Sequence, residues 1–140
     1  MENLIMTTEI TFKAAADKVW EGLTNPKIVK EYFFGTNLKS DFMVGSTITF
    51  SGEWEGMTYE DKGIILEIDP LKFLKYSYWS SMSGTEDIPE NYAEISYQLI
   101  EDKTLTTLII NQTGLKKEEE IKQHEQNWLN VFEGLKKIIE

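Results

Sequence analysis

From Lys117 to Ile139 apolar residues recur at helical spacing: Ile121, Trp128, Val131, Phe132, Leu135, Ile138 and Ile139. Glu118, Glu119 and Glu120 fall in the first turn and Lys136 and Lys137 in the last, which matches the helix dipole. At about 1.5 Å per residue such a helix is on the order of 35 Å long. A one-faced helix of that length suits a position across a whole sheet.

The rest of the chain supplies the sheet. Thr8 to Phe12 alternates as a short strand. Ala14 to Leu23 carries helix formers, with Val19, Trp20 and Leu23 on one face. Thr24-Asn25-Pro26 breaks and restarts the helix, because Asn25 or Thr24 can cap and Pro26 suits the first helical position. Ile28, Val29, Tyr32 and Phe33 form the apolar side of that second short helix. From Asn37 to Gln112 the period is two. Ile48, Phe50, Gly52 and Trp54 make one set, Ile64, Leu66 and Ile68 a second, Leu74, Tyr76 and Tyr78 a third, and Ala93, Ile95, Tyr97 and Leu99 a fourth. In Thr104 to Gln112 both faces carry apolar residues, so its inward face is open. Gly56, Asp69-Pro70 and Glu101-Asp102-Lys103 suit hairpins. No strand–helix–strand alternation exists, which excludes a parallel sheet. The expected fold is α+β, an antiparallel meander of about six or seven strands curved around a long C-terminal helix, with two short helices after the first strand. With no linker and no internal repeat, residues 1–140 are expected to form one domain, long enough to bury roughly 68% of its unfolded surface.

Charge narrows the chemistry. The chain has 24 Asp and Glu against 14 Lys and no Arg, for a net charge of −10. Arg is the usual residue for bidentate capture of phosphate, and the negative charge repels nucleic acid and anionic lipid. Nucleotide, phosphoryl and nucleic-acid chemistry are therefore disfavoured. There is no Cys, hence no disulfide, thiolate nucleophile or Cys-ligated metal. The N-terminus has no signal-peptide pattern, and no stretch approaches the ~18 apolar residues of a membrane span, so a cytoplasmic location is expected. Asn111-Gln112-Thr113 is then a chance glycosylation sequon. Residues 80–102 hold six acids, Glu86, Asp87, Glu90, Glu94, Glu101 and Asp102, and no Lys. They read as a solvated face or as a patch for a basic protein partner.

Aromatic residues are the better functional signal. The chain carries 7 Phe, 4 Trp and 6 Tyr. Each buried Tyr hydroxyl needs a partner, so such a density either fills the core or rims a cavity for a flat apolar ligand with one or two polar groups. The cavity candidates are Phe33, Phe50, Trp54, Tyr76, Tyr78, Tyr92, Tyr97, His124, Trp128 and Phe132. His124, the only His, shares the apolar side of the last helix and reads as a satisfied core-edge residue, a hydrogen-bond anchor or a general base. No nucleophile elbow and no ligand-spaced second His accompanies it, so neither a catalytic triad nor a metal or other cofactor is expected. Glu53, Glu55, Glu60 and Asp61 flank the Gly56 hairpin and read as solubilising, as do Glu67 and Glu94. Gly52 marks a bulge or bend. Gly134 costs ~1 kcal/mol within the helix and allows a close approach to the sheet. Ser80 to Asn91 is the expected lid, with Phe33-Phe34-Gly35-Thr36 on the other side of the mouth.

Several segments together resemble a known family. Val19-Trp20-Glu21-Gly22-Leu23-Thr24-Asn25-Pro26 is similar to the opening of activator-of-Hsp90-ATPase-homologue (AHSA1-like) domains, within the START/Bet v 1-like (SRPBCC) superfamily. Asp41-Phe42-Met43-Val44-Gly45-Ser46 resembles that family's turn, with Ser46 in place of a second Gly. Lys62 through Pro70 followed by Leu74 through Trp79, Pro89 through Tyr92, and Asn127-Trp128 through Leu135 resemble its later segments. The resemblance spans nearly the whole chain in order. It implies a helix-grip fold with a cavity for hydrophobic ligands. Three functions are in view: a module binding a small apolar or aromatic ligand, gated by residues 33–36 and 80–92; a chaperone-linked interaction domain using the acidic 80–102 surface; and a cyclase-, hydrolase- or isomerase-type enzyme using His124 with a Tyr. The co-chaperone's additional N-terminal domain is not in this sequence, so Hsp90 activation does not carry over with the resemblance.

Overall fold

A computed structural model describes residues 4–81 and 83–140; the side chain of Trp54 lies outside the described set. The chain runs β1 (Leu4–Phe12), α1 (Ala16–Thr24), α2 (Pro26–Tyr32), β2 (Asn37–Ser40), β3 (Thr47–Trp54), β4 (Met57–Asp69), β5 (Phe73–Tyr78), β6 (Ala93–Asp102), β7 (Leu105–Leu115) and α3 (Glu118–Ile139). A 3-10 turn at Pro89–Asn91 precedes β6. The strands form one curved antiparallel sheet in the order β1-β7-β6-β5-β4-β3-β2. This is a meander whose first strand pairs with its last, so α1 and α2 bridge from one sheet edge to the other. α3 lies on the inner face, with Val131, Phe132 and Leu135 buried.

Local chemistry places the helices. The Asn25 side chain accepts a 2.9 Å bond from the Lys27 N–H and Pro26 opens α2, the arrangement expected from the break in the sequence. α1 has no cap of its own; the Glu101 carboxylate, distant in sequence, accepts from the Ala16 N–H at 2.8 Å. Two glycines then let the helices meet. A Cβ on Gly22 would stand 2.6 Å from a Leu135 methyl, and one on Gly134 would stand 3.1 Å from the Tyr32 Cβ. Gly134 thus admits α2 rather than the sheet, correcting the expectation for that residue. The Tyr32 hydroxyl donates to the Gly22 carbonyl at 2.7 Å and ties α2 to α1.

β4 departs from the simple alternation. Its pairing with β5 shifts between Ile65 and Glu67, leaving Leu66 as an extra residue. Ile65, opposite Tyr76, is buried, whereas Ile64 is 45% exposed. The inward set before the bulge is therefore Tyr59, Asp61, Gly63 and Ile65, not Ile64 and Leu66; only Ile68, beyond it, keeps its expected side. Gly52 is no bulge, because β3 and β4 stay in register there. It leaves room for the Tyr59 ring, whose hydroxyl would meet an added Cβ at 2.7 Å. In β7 the inward set is Thr106, Leu108, Ile110 and Gln112. Its two polar members are satisfied, Thr106 by donating to the Ala14 carbonyl at 2.7 Å and Gln112 by accepting from Trp128.

At Gly63 a Cβ would fall 1.6 Å from the Ser77 carbonyl oxygen, so β4 and β5 can run together there only over a glycine. Gly63→Ala is expected to cost about 3 kcal/mol, the upper range for overpacking, read as a lowered urea midpoint. Glu101→Ala is expected to cost about 1 kcal/mol through the lost cap, with little further change when Asp102 is also neutralised.

Candidate functional site

Phe50, Tyr76 and Tyr97 point from three strands to the inner face, and Trp128 and Phe132 point back from α3. Trp128 stacks on Phe132 at 5.7 Å, and Tyr97 meets both rings edge-on at 6.0 and 5.9 Å. Tyr76 joins Tyr97 to Phe50, each at 5.7 Å, and Phe33 stacks over Phe50 at 6.1 Å. Edge-to-face pairs of this kind add roughly 0.5–1.5 kcal/mol each beyond their burial. The lattice is continuous from α2 through the sheet to α3.

The rings bring polar ends into this dry interior, and each is paired. The Tyr76 and Tyr97 hydroxyls bond each other at 2.7 Å, and the Trp128 indole N–H donates to the Gln112 carbonyl oxygen at 2.8 Å. Burial pushes the Tyr76, Tyr97 and Tyr32 phenols well above their ordinary range. Tyr78 is raised by burial and then by the neighbouring Asp61 carboxylate, to which its hydroxyl donates at 2.5 Å.

The lattice leaves a cleft at its upper end, divided by Phe33 and Phe34. One compartment of about 170 Å³ lies against α3, between Phe50, Tyr76, Ile95, Gln112 and the side chains of His124, Trp128 and Val131. The other, of about 290 Å³, lies against β3–β5, walled by Phe33, Phe34, Phe50, Tyr59 and Tyr78 with Asp61 among them. Phe34 sits at the lip, 61% exposed, with a φ of 54°. A bulky residue at positive φ is uncommon and marks a strained turn, continued here by Gly35 at 72°. Thr36, buried beneath the turn, bonds the Tyr59 hydroxyl at 2.5 Å and closes the corner.

Of the ten residues singled out in the sequence, Phe33, Phe50, Tyr76, Tyr78, His124 and Trp128 line this cleft. Tyr97 and Phe132 stand behind it, 4% and 1% exposed, and support the lining without forming it. Trp54 lies in β3, and its side chain is outside the described residues. Tyr92 is placed elsewhere. It stacks on Trp79 at 6.4 Å and donates to Asp87, which is paired with Lys62. That group belongs to the outer face, where an open groove of about 630 Å³ runs over Thr47, Thr49, Ile64 and Leu66. The loop 80–92 walls that groove and the end of α3; among the described residues none of it lines the cleft, so it is not a lid there.

The tyrosine hydroxyls bear on the acid–base reading of His124. Among the described residues these hydroxyls bond Gly22, Thr36, Asp61, Asp87 and, for Tyr76 and Tyr97, each other, without a bond to His124. The acids of 80–102 are also partly engaged, with Asp87 on Lys62, Glu94 on Lys75 and Glu101 on α1. Among the described residues no group of three or more His, Asp or Glu is placed to hold a metal ion. No helix among them is long and apolar enough to cross a membrane. Sequence reasoning missed Asp61 and Tyr59, which share the parity of Ile65. Taking Ile65 as the inward residue of β4 would have found both.

The paired phenols generate two predictions. Tyr76→Phe or Tyr97→Phe alone should each cost about 1–2 kcal/mol by orphaning the partner hydroxyl, and the double variant less than the sum, measured by urea unfolding. Because these phenols are raised in the folded state, their contribution is complete below the unfolded value of about 10 and is lost progressively as pH rises from there through the folded values. The unfolding midpoint should therefore fall steeply above about pH 10, and the phenolate absorbance of these buried tyrosines should appear together with unfolding rather than before it.

Comparison with known proteins gives consistent results. The family model for "Activator of Hsp90 ATPase homolog 1-like protein" matches residues 13–140. The solution structure of ChR145 from Cytophaga hutchinsonii is 42% identical with a TM-score of 0.86, covering 99% of this chain and 95% of that one. The Aha1 dimer from Colwellia psychrerythraea is 18% identical with a TM-score of 0.75, covering 98% and 96%. Ara h 8.0201 is 12% identical with a TM-score of 0.75, covering 99% and 98%. At those last two identities the likeness is one of fold. No curated protein matches the chain.

Proposed function

The chain belongs to the activator of Hsp90 ATPase homolog 1-like family, and we propose that it is a binding module for a small apolar or aromatic ligand held between α2, the inner face of the sheet and α3. The observation that carries this reading is the ring-lined cleft in which the aromatic lattice stops short of filling the grip. The two compartments meet at Phe33 and Phe34, and neither alone exceeds the ~300 Å³ at which drug-sized sites begin. A ligand of one or two rings fits one compartment; a longer one spans both once Phe34 swings aside. His124, Gln112 and Asn127 supply polar groups at the α3 end. Among the described residues the tyrosine hydroxyls bond groups other than His124, which withdraws support from an acid–base pair there. The expected setting is a single cytoplasmic domain spanning residues 1–140.

A second reading is favoured by the outer groove, whose wall is the acidic 80–92 loop: a chaperone-linked protein contact through residues 80–102. Charge reversal at Glu86 and Glu90, which leaves the Lys62–Asp87 pair intact, should weaken capture of such a partner; unchanged capture removes the reading.

Native mass spectrometry of protein from its own host should show a stoichiometric apolar adduct. With purified protein, the neutral fluorophore N-phenyl-naphthylamine should bind saturably at one site and quench Trp128. Val131→Phe, which fills the smaller compartment, should weaken that binding about tenfold, or some 1.4 kcal/mol, with the fold intact by circular dichroism. Absence of saturable binding to the wild type removes the reading.

A further inference from the structure

The larger compartment has one group that its apolar lining does not explain. Asp61 projects inward from β4 among Phe33, Phe50, Tyr59 and Tyr78. Its Oδ2 accepts from the Tyr78 hydroxyl at 2.5 Å, whereas its Oδ1 is buried and has no hydrogen-bond partner among the described residues. A buried acceptor left unmatched is costly, and folded proteins rarely tolerate one without a use for it. Gln112 and the tyrosine hydroxyls of the same interior are all paired, so the exception is local.

Among the described residues no cationic side chain lines the compartment beside this carboxylate. The ionisable groups lining it among the described residues are Asp61, Tyr59 and Tyr78, and none of the 14 Lys lines either half of the cleft. Lys62, the next residue, points to the opposite face and is held there by Asp87 and over the Trp79 ring. The net charge of −10 adds a long-range bias toward cations. Ring faces close to a carboxylate are also the environment that favours an ammonium, through cation–π attraction.

Building on the proposed ligand-binding role, we propose that the ligand is a protonated amine on an aromatic or alkyl-aryl body. Its N–H donates to Asp61 Oδ1 while Tyr78 holds Oδ2, and its apolar body lies against Phe33, Phe50 and Tyr59. Tyr78 is a positioning residue, since its hydroxyl fixes the carboxylate and leaves one oxygen for the ligand.

The test is a charge series on one scaffold, with tryptamine as the cation, tryptophol as its neutral counterpart and indoleacetate as the anion, each titrated by calorimetry at neutral pH. Tryptamine should bind about tenfold or more tighter than tryptophol, and indoleacetate should not bind. In Asp61→Asn, whose amide oxygen can still accept from Tyr78, the ratio of tryptamine to tryptophol affinity should fall to about one. Equal affinities in the wild type overturn the amine proposal, as does binding of N-phenyl-naphthylamine with no binding of the indoles; both leave the apolar cleft standing. Failure of every probe removes the cleft reading and this proposal with it. The wild-type series decides the matter even if the variant does not fold.

Discussion

The interior of this protein rests on one requirement: rings that carry polar ends can be buried only where those ends are matched. Tyr76 and Tyr97 meet it for each other, and Trp128 meets it with Gln112. These bonds fix the height and rotation of α3 over the sheet, because a side chain that must both stack and donate has little freedom left. The Phe33–Phe50 stack then seats α2 against the same lattice. The cleft is what remains when these demands have been met.

Backbone shape decides where the cleft lies. Gly22 and Gly134 let α1 and α2 close on α3, and Gly52 gives the Tyr59 ring its place over β3. The extra residue at Leu66 reverses the parity of the first half of β4. That reversal sends Ile64 to the outer groove and Asp61 to the inner cleft, so one bulge sets the character of both faces. The strained Phe34-Gly35 turn lies where the two compartments meet, which is where a ligand would require movement.

Charge follows a similar division. The acidic run of 80–102 is less available than its composition suggests, since Asp87, Glu94 and Glu101 each stabilise something within the molecule. The carboxylate that matters most to the proposed ligand is instead Asp61, which composition alone groups with the solvated residues of a hairpin.

The long C-terminal helix, the order of the strands and the two short helices were all legible in the sequence, because each depends on periodicity and capping within a few residues. Six of the ten proposed cavity residues line the cleft, five of them through alternation within β3 and β5 and helical spacing in α3, which are local properties, and Phe33 from the end of α2. The inward face of β7 and the parity of β4 were not legible. The first depended on Thr106 and Gln112 finding partners on Ala14 and Trp128, and the second on a bulge created by pairing with β5. Tyr92 was likewise drawn to the outer face by Trp79 and Asp87. The sequence by itself determined which elements form and in what order. Tertiary structure alone decided which polar groups are matched across elements, and so which one among the described residues, Asp61 Oδ1, stays unmatched.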